Sequence, residues 1–322
     1  MRAGHKTPCS LHLKNNTGGK QMNKKKLENY SLTASIHTVN LRSEDKPLLP
    51  KIVSLGIIRS TYFQQKGVWS LRINPNELHG DIFAYSEFCA TMHDICQAMQ
   101  IAPTYYRCDI RLDSYEYTFK TFYKLNVLLI NLFSILFNDP NGQAVSHLLT
   151  CSKEFSDVST KNQYWEVKYY DKARQSHDTD PAKARLEFRS LKSTKDGGHT
   201  PDEIKEMWFK KLDKLPELYE KLQEKSNDAL YEAYLKYVKY NGKSDRKRDL
   251  LTSFLSEYSN SMSIYSRKQL RAFLMQCGLK ETAANSRADY IIDRVYLEFF
   301  SRADIERYVK KIKDAMNHFF EC

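Results

Sequence analysis

The chain has 322 residues and carries 50 Lys and Arg against 39 Asp and Glu, a formal charge of +11. Its 41% hydrophobic and 12% aromatic content excludes a disordered chain, and 11 glycines and 9 prolines exclude a collagen-like or low-complexity one. Seven cysteines, odd in number and without a CxxC spacing, speak for reduced thiols in a cytosol rather than a disulfide framework or a zinc ribbon.

Residues 1–30 hold seven Lys or Arg and one acid, with no apolar periodicity. They are expected to form a disordered basic tail able to lie along a phosphate backbone. The tail lacks the apolar stretch of a signal peptide. The longest apolar segment, Leu125–Phe137, has 13 residues including two Asn, short of the ~20 that a bilayer requires. A soluble, cytoplasmic protein without a membrane partner is therefore expected.

From Ser31 the pattern changes. Ser31–Leu41 alternates and is rich in β-branched residues, which predicts a strand. Lys51–Ser60 and Gly67–Ile73 predict two more, joined as a hairpin, and Asn74-Pro75-Asn76 ends the last of them. His79–Met99 has helical spacing. After Pro103, alternation places Tyr106, Cys108, Ile110 and Leu112 on one face of a strand and Arg107, Asp109, Arg111 and Asp113 on the other. A core helix over Phe119–Phe137 follows, stopped at Asn138-Asp139-Pro140. Gln163–Tyr170 and Ala184–Leu191 predict two further strands, with a helical turn and a loop between them. This order predicts an α+β fold with one largely antiparallel sheet and packed helices.

Lys192–Thr200 reads as a polar linker, and everything beyond it as helix. Helices are predicted at about 201–212, 215–240, 246–258, 266–277, 280–300 and 302–320. Thr200, Ser266 and Ser301 are expected caps, Asn285 a cap or break, and Gly278 a helix C-cap. Three parts follow: the tail 1–30, an α+β catalytic domain 31–195, and an all-helical domain 200–322 for DNA recognition or oligomerisation.

Three features could carry chemistry. Asp109 and Asp113 lie four apart, so in a strand both leave one face, as oxygen ligands of a hard divalent cation must. Glu187 shares a strand face with Arg185 and Arg189. Tyr169-Tyr170-Asp171-Lys172 closes a strand, and a tyrosine there could act as a nucleophile if a cation or base helps it to ionise. For each, the bland alternative is a salt-bridged or solvated sheet face.

Together these segments resemble a known family. RCDIRLD (Arg107–Asp113), VKYYDKARQ (Val167–Gln175) and ARLEFRSL (Ala184–Leu191) look like the three motifs of rolling-circle replication initiators: those of Gram-positive plasmids, related relaxases of conjugative elements, and gene II proteins of filamentous phages. WSLRINPNELHG (Trp69–Gly80) resembles the family's strand that ends in an N-P-N turn. The likeness covers about residues 67–191. The chain has no His-hydrophobic-His pair, so a two-histidine metal site is not expected.

The resemblance implies a replication-initiator nuclease fold and a nicking–joining endonuclease. Tyr170 aligns with the nucleophile that forms a 5′-phosphotyrosyl link and frees a 3′-OH, with Tyr169 as the competing assignment. Asp109 and Glu187 align with acids of a Mg2+ or Mn2+ centre, with Asp113 as a third. Lys172, Arg107 and Arg185 would neutralise phosphate or orient the acids. The partners implied are origin DNA, single-stranded at the nick, with a host helicase and polymerase. A relaxase at a transfer origin is the alternative within the same chemistry.

A non-enzymatic DNA-binding regulator is the alternative outside it, resting on a helix-turn-helix-like stretch at Ser266–Tyr296. In the helical half, Lys243, Arg246, Lys247, Arg248, Arg267, Lys268 and Arg271 are the basic residues placed to meet duplex DNA, and a homodimer is the other use of these helices.

Overall fold

The computed structural model describes residues 31–48, 57–102, 105–115, 120–138, 157–176, 181–192, 198–224, 228–241, 249–258, 265–294 and 299–322. Seven strands form one antiparallel sheet: β1 (Thr33–Ser43), β2 (Ile57–Phe63), β3 (Val68–Ile73), β4 (Tyr105–Ser114), β5 (Asp157–Lys161), β6 (Trp165–Asp171) and β7 (Ala184–Ser190). They lie in the order β2-β3-β1-β4-β7-β6-β5. The strands with the three motif segments, β4, β7 and β6, are therefore direct neighbours.

Period-two alternation gives the sheet two unlike faces. Ile36, Val39, Leu41, Leu71, Ile73, Ile110, Leu112, Val167, Leu186 and Phe188 point into a helical layer and are almost fully buried. The layer opens with the short turn α1 (Asn76–His79), then α2 (Tyr85–Met99) and α3 (Lys120–Asn138). The helix expected at His79–Met99 is thus broken. Gly80 has φ +82°, and the Asn76 side chain accepts from the Ile82 amide and donates to the Ile36 carbonyl, pinning the break to β1. After β6 comes α4 (Lys172–Gln175), a single turn.

The helical half does not stand apart. Helices α5 (Pro201–Leu212), α6 (Leu215–Gln223) and α11 (Arg302–Glu321) complete the layer over the sheet. Trp208 packs edge-on against Phe133, Trp165 and Phe188, centroids 4.9–5.8 Å apart. Tyr308 of α11 donates a buried 2.6 Å hydrogen bond to Asn126 of α3, the residue that makes the Leu125–Phe137 stretch polar. One continuous core results, so the boundary expected between 195 and 200 is not a boundary in packing.

Helices α7 (Asp228–Asn241), α8 (Leu250–Glu257), α9 (Arg267–Gln276) and α10 (Glu281–Arg294) extend it around Phe254 and Phe273. The helix expected over 215–240 is split between α6 and α7. Thr200, Ser266 and Ser301 each form a reciprocal capping box. Gly278, at φ +94°, closes α9, whereas Asn285 lies inside α10. Strand β5 has no counterpart in the sequence reading. The tail 1–30, the linker residues 193–197 and Lys243 to Arg248 lie outside the described residues. Among the described residues no helix is long and apolar enough to cross a membrane.

Candidate active site

Opposite the helical layer, β4, β7 and β6 carry charge instead of hydrocarbon. Antiparallel register sets it in three rows: Asp109, Arg189 and Glu166; Arg111, Glu187 and Lys168; Asp113, Arg185 and Tyr170. Cross-strand neighbours of opposite sign attract. Arg189 reaches Asp109 at 3.4 Å and Glu166 at 2.7 Å. Arg185 Nε donates to Asp113 Oδ1 at 2.6 Å, and Arg111 Nε lies 2.7 Å from Asp113 Oδ2. Arg111 also donates to Asp81 at 2.8 Å, and Asp81 sits in the helix break after Gly80. These residues are held rigidly because withdrawing either member of a buried pair strands a charge.

Two adjacent tyrosines separate here. Tyr169 turns into the core, 3% exposed, beside Val167 and Leu186. Tyr170 turns to the charged face, and its hydroxyl donates to Glu187 Oε1 at 2.7 Å. Burial, then the Glu187 carboxylate, holds the Tyr170 phenol well above the usual tyrosine range, with Arg185 opposing them. The phenol is therefore protonated at rest and hydrogen-bonded to a base that can take the proton. Tyr170 itself keeps only 6% of its surface, so a substrate must approach over Glu187 and Lys168, which are half-buried.

Two bulges adjust the rows. Between Ile36 and Thr38 the register of β1 slips, and the extra residue, His37, sets its Nδ1 3.4 Å from an Arg111 nitrogen. Burial, then Arg111, lowers the His37 pKa to about 4, so the ring is neutral at neutral pH. Between Asn40 and Leu41 the extra residue is Tyr106, which was expected on the core face. Its ring lies 4.0 Å under the Arg42 guanidinium, and its hydroxyl accepts from Arg42.

The residues can be tested against a divalent cation. Asp113 does not fit, because both its oxygens are engaged by Arg185 and Arg111. Asp109 and Glu187 fit better. Arg189 engages Oδ2 of Asp109 and Tyr170 engages Oε1 of Glu187, which leaves a second oxygen on each. Burial, with the Glu187 charge adding to it and Arg189 opposing, raises Asp109 to about 6, and a cation would relieve that strain. Two carboxylates with substrate phosphate and water suffice for Mg2+. Among the described residues no three His, Cys, Asp or Glu side chains converge on one point.

The expected basic residues fare unequally. Arg185 is a buried partner of Asp113, not a surface contact for DNA. Arg107 donates to the Leu191 carbonyl and to Asn40, which ties β4 to its neighbours on both sides. Lys172 leaves the sheet to begin α4, its backbone N–H bonded to the Lys183 carbonyl. Arg267 is ion-paired with Asp289, and Arg287 with Asp249, so the helix pair α9–α10 presents mixed charge; Lys268 is exposed. Arg246, Lys247 and Arg248 fall outside the described residues.

Lys168, His37 and Asp81 were missed. Lys168 was within reach of the sequence reading, since it stands two residues before Tyr170 and must share its face. No protein-family model, curated protein or solved structure matches this chain.

Proposed function

We propose that this protein nicks and rejoins DNA through Tyr170, in the manner of rolling-circle replication initiators. The observation that carries the reading is the 2.7 Å hydrogen bond from the Tyr170 hydroxyl to Glu187 within a field of arginines. It is the nucleophile–base pairing that phosphoryl transfer from a phenol requires. Tyr170 Oη attacks the phosphorus of a DNA phosphodiester while Glu187 takes the phenolic proton. The Oη–P bond forms, the P–O3′ bond breaks, and the 3′ oxygen leaves with a proton from water. The product is a 5′-phosphotyrosyl link and a 3′-OH that a polymerase can extend. The reverse attack rejoins the strand.

Arg185 and Arg111 hold Asp113 and so fix the row in which Tyr170 stands. Asp109 and Glu187 would hold Mg2+ or Mn2+, which when bound polarises the scissile phosphate as a Lewis acid. The same chemistry serves a replication origin of a plasmid or phage, or a conjugative transfer origin. The mixed charge of α9–α10 gives a purely regulatory, helix-turn-helix reading no particular support.

Nicking of negatively supercoiled plasmid DNA in Mg2+ or Mn2+ tests the proposal. Wild type should relax the plasmid, and Tyr170→Phe should lose at least a thousand-fold of that activity, as for loss of a nucleophile, with melting temperature and DNA affinity nearly unchanged. Equal nicking by both proteins would remove tyrosine from the mechanism.

A further inference from the structure

Phosphoryl transfer needs positive charge placed on the non-bridging oxygens of the phosphate, and most cations around Tyr170 are already committed. Arg185 and Arg111 are 5% and 3% exposed and share Asp113. Arg189 bridges Asp109 and Glu166. Moving any of them to a substrate would leave a buried carboxylate unpaired. Lys168 differs in each respect. It is half-buried, it lies directly across from Glu187 in the middle row, and its ammonium is 5.0 Å from the centroid of the Tyr170 ring. Its four-carbon stem lets the charge follow a ligand without disturbing the strand. A phosphate that reaches Tyr170 over Glu187 passes this ammonium.

We propose that Lys168 is a catalytic residue of this site, its ammonium contacting a non-bridging oxygen of the scissile phosphate and stabilising the charge that develops as Tyr170 attacks. The role falls to Lys168 and not to Lys172, which the sequence had suggested, because Lys172 has left the sheet. This inference rests on Tyr170 as the nucleophile.

The test uses the full chain, Mg2+ or Mn2+, and a random-sequence single-stranded DNA pool, with two readouts: the rate of covalent protein–DNA adduct formation and the salt dependence of binding. Lys168→Gln should slow the adduct by about a hundred- to a thousand-fold, the usual effect of removing one such donor. Its plot of log affinity against log salt should be shallower by about one phosphate contact. Lys168→Arg, which keeps the charge, should recover most of both.

If wild type forms the adduct and Lys168→Gln forms it at the same rate, the proposal is overturned. So it is if Lys168→Arg is as slow as Lys168→Gln and both melt below wild type, since the lysine would then be a packing element. If wild type forms no adduct, the reading of Tyr170 fails instead. The salt slope then judges Lys168 by itself, and an unchanged slope in Lys168→Gln excludes the phosphate contact.

Discussion

Neighbouring side chains leave a strand on opposite faces, so Tyr169 joins Leu186 in the core while Tyr170 meets Glu187 on the charged side. The same rule was available from the sequence, where Val167 and Tyr169 alternate with Lys168 and Tyr170. What alternation could not show is His37, because a bulge shifts the register by one residue and the sequence carries no mark of it. His37 makes a prediction of its own. Its folded pKa of about 4 lies below the ordinary 6.5, so between these values the unfolded chain binds a proton that the folded chain does not. The His37 contribution to stability is therefore complete above about pH 6.5 and is lost as pH falls toward 4. In His37→Gln the decline of melting temperature over that window should be shallower than in wild type. The carboxylates titrate in both proteins, so the difference curve isolates His37. Parallel curves would show that the imidazole is not buried against Arg111.

Among the elements, β4, β7 and β6 were the most legible, because their motif segments alternate cleanly and pair with complementary charge. The helix break at Gly80 was not legible. It depends on Asn76 reaching the Ile36 carbonyl, forty residues away in sequence, and it is what delivers Asp81 to Arg111. The junction between sheet and helical layer turns on Gly198. It has φ +77°, and a Cβ there would lie 2.5 Å from the Tyr105 carbonyl oxygen and 2.6 Å from the Tyr106 Cα. Both obstacles are backbone and cannot swing away. Gly198→Ala should destabilise the protein by about 2–5 kcal/mol, combining left-handed strain with overpacking at the start of β4. Chemical denaturation at neutral pH measures it. A loss below about 0.5 kcal/mol would mean that the chain does not pass so close to β4.

For the molecule as a whole, the α+β order and the antiparallel sheet follow from residue patterns, whereas the division into a catalytic and a helical domain does not survive. An amphipathic helix announces that it has an apolar face but not which surface it covers. Helices α5, α6 and α11 cover the sheet, and Trp208 and Tyr308 lock them to Phe188 and Asn126. A chain cut after Lys192 would expose Ile110, Leu112, Phe133 and Phe188 together. It should aggregate or stay unfolded, with no cooperative thermal transition by circular dichroism. A truncated protein that melts cooperatively would restore the two-domain view.

The central claim is that the Tyr170 hydroxyl is the nucleophile and Glu187 its base. The most direct measurement traps the covalent adduct on single-stranded DNA, digests protein and DNA, and locates the nucleotide-bearing peptide by mass spectrometry. The account predicts a nucleotide joined through its 5′ phosphate to Tyr170, absent from Tyr170→Phe and strongly reduced in Glu187→Gln. A nucleotide on Tyr169, on a serine or on a histidine, or cleaved DNA with no protein attached, would contradict it.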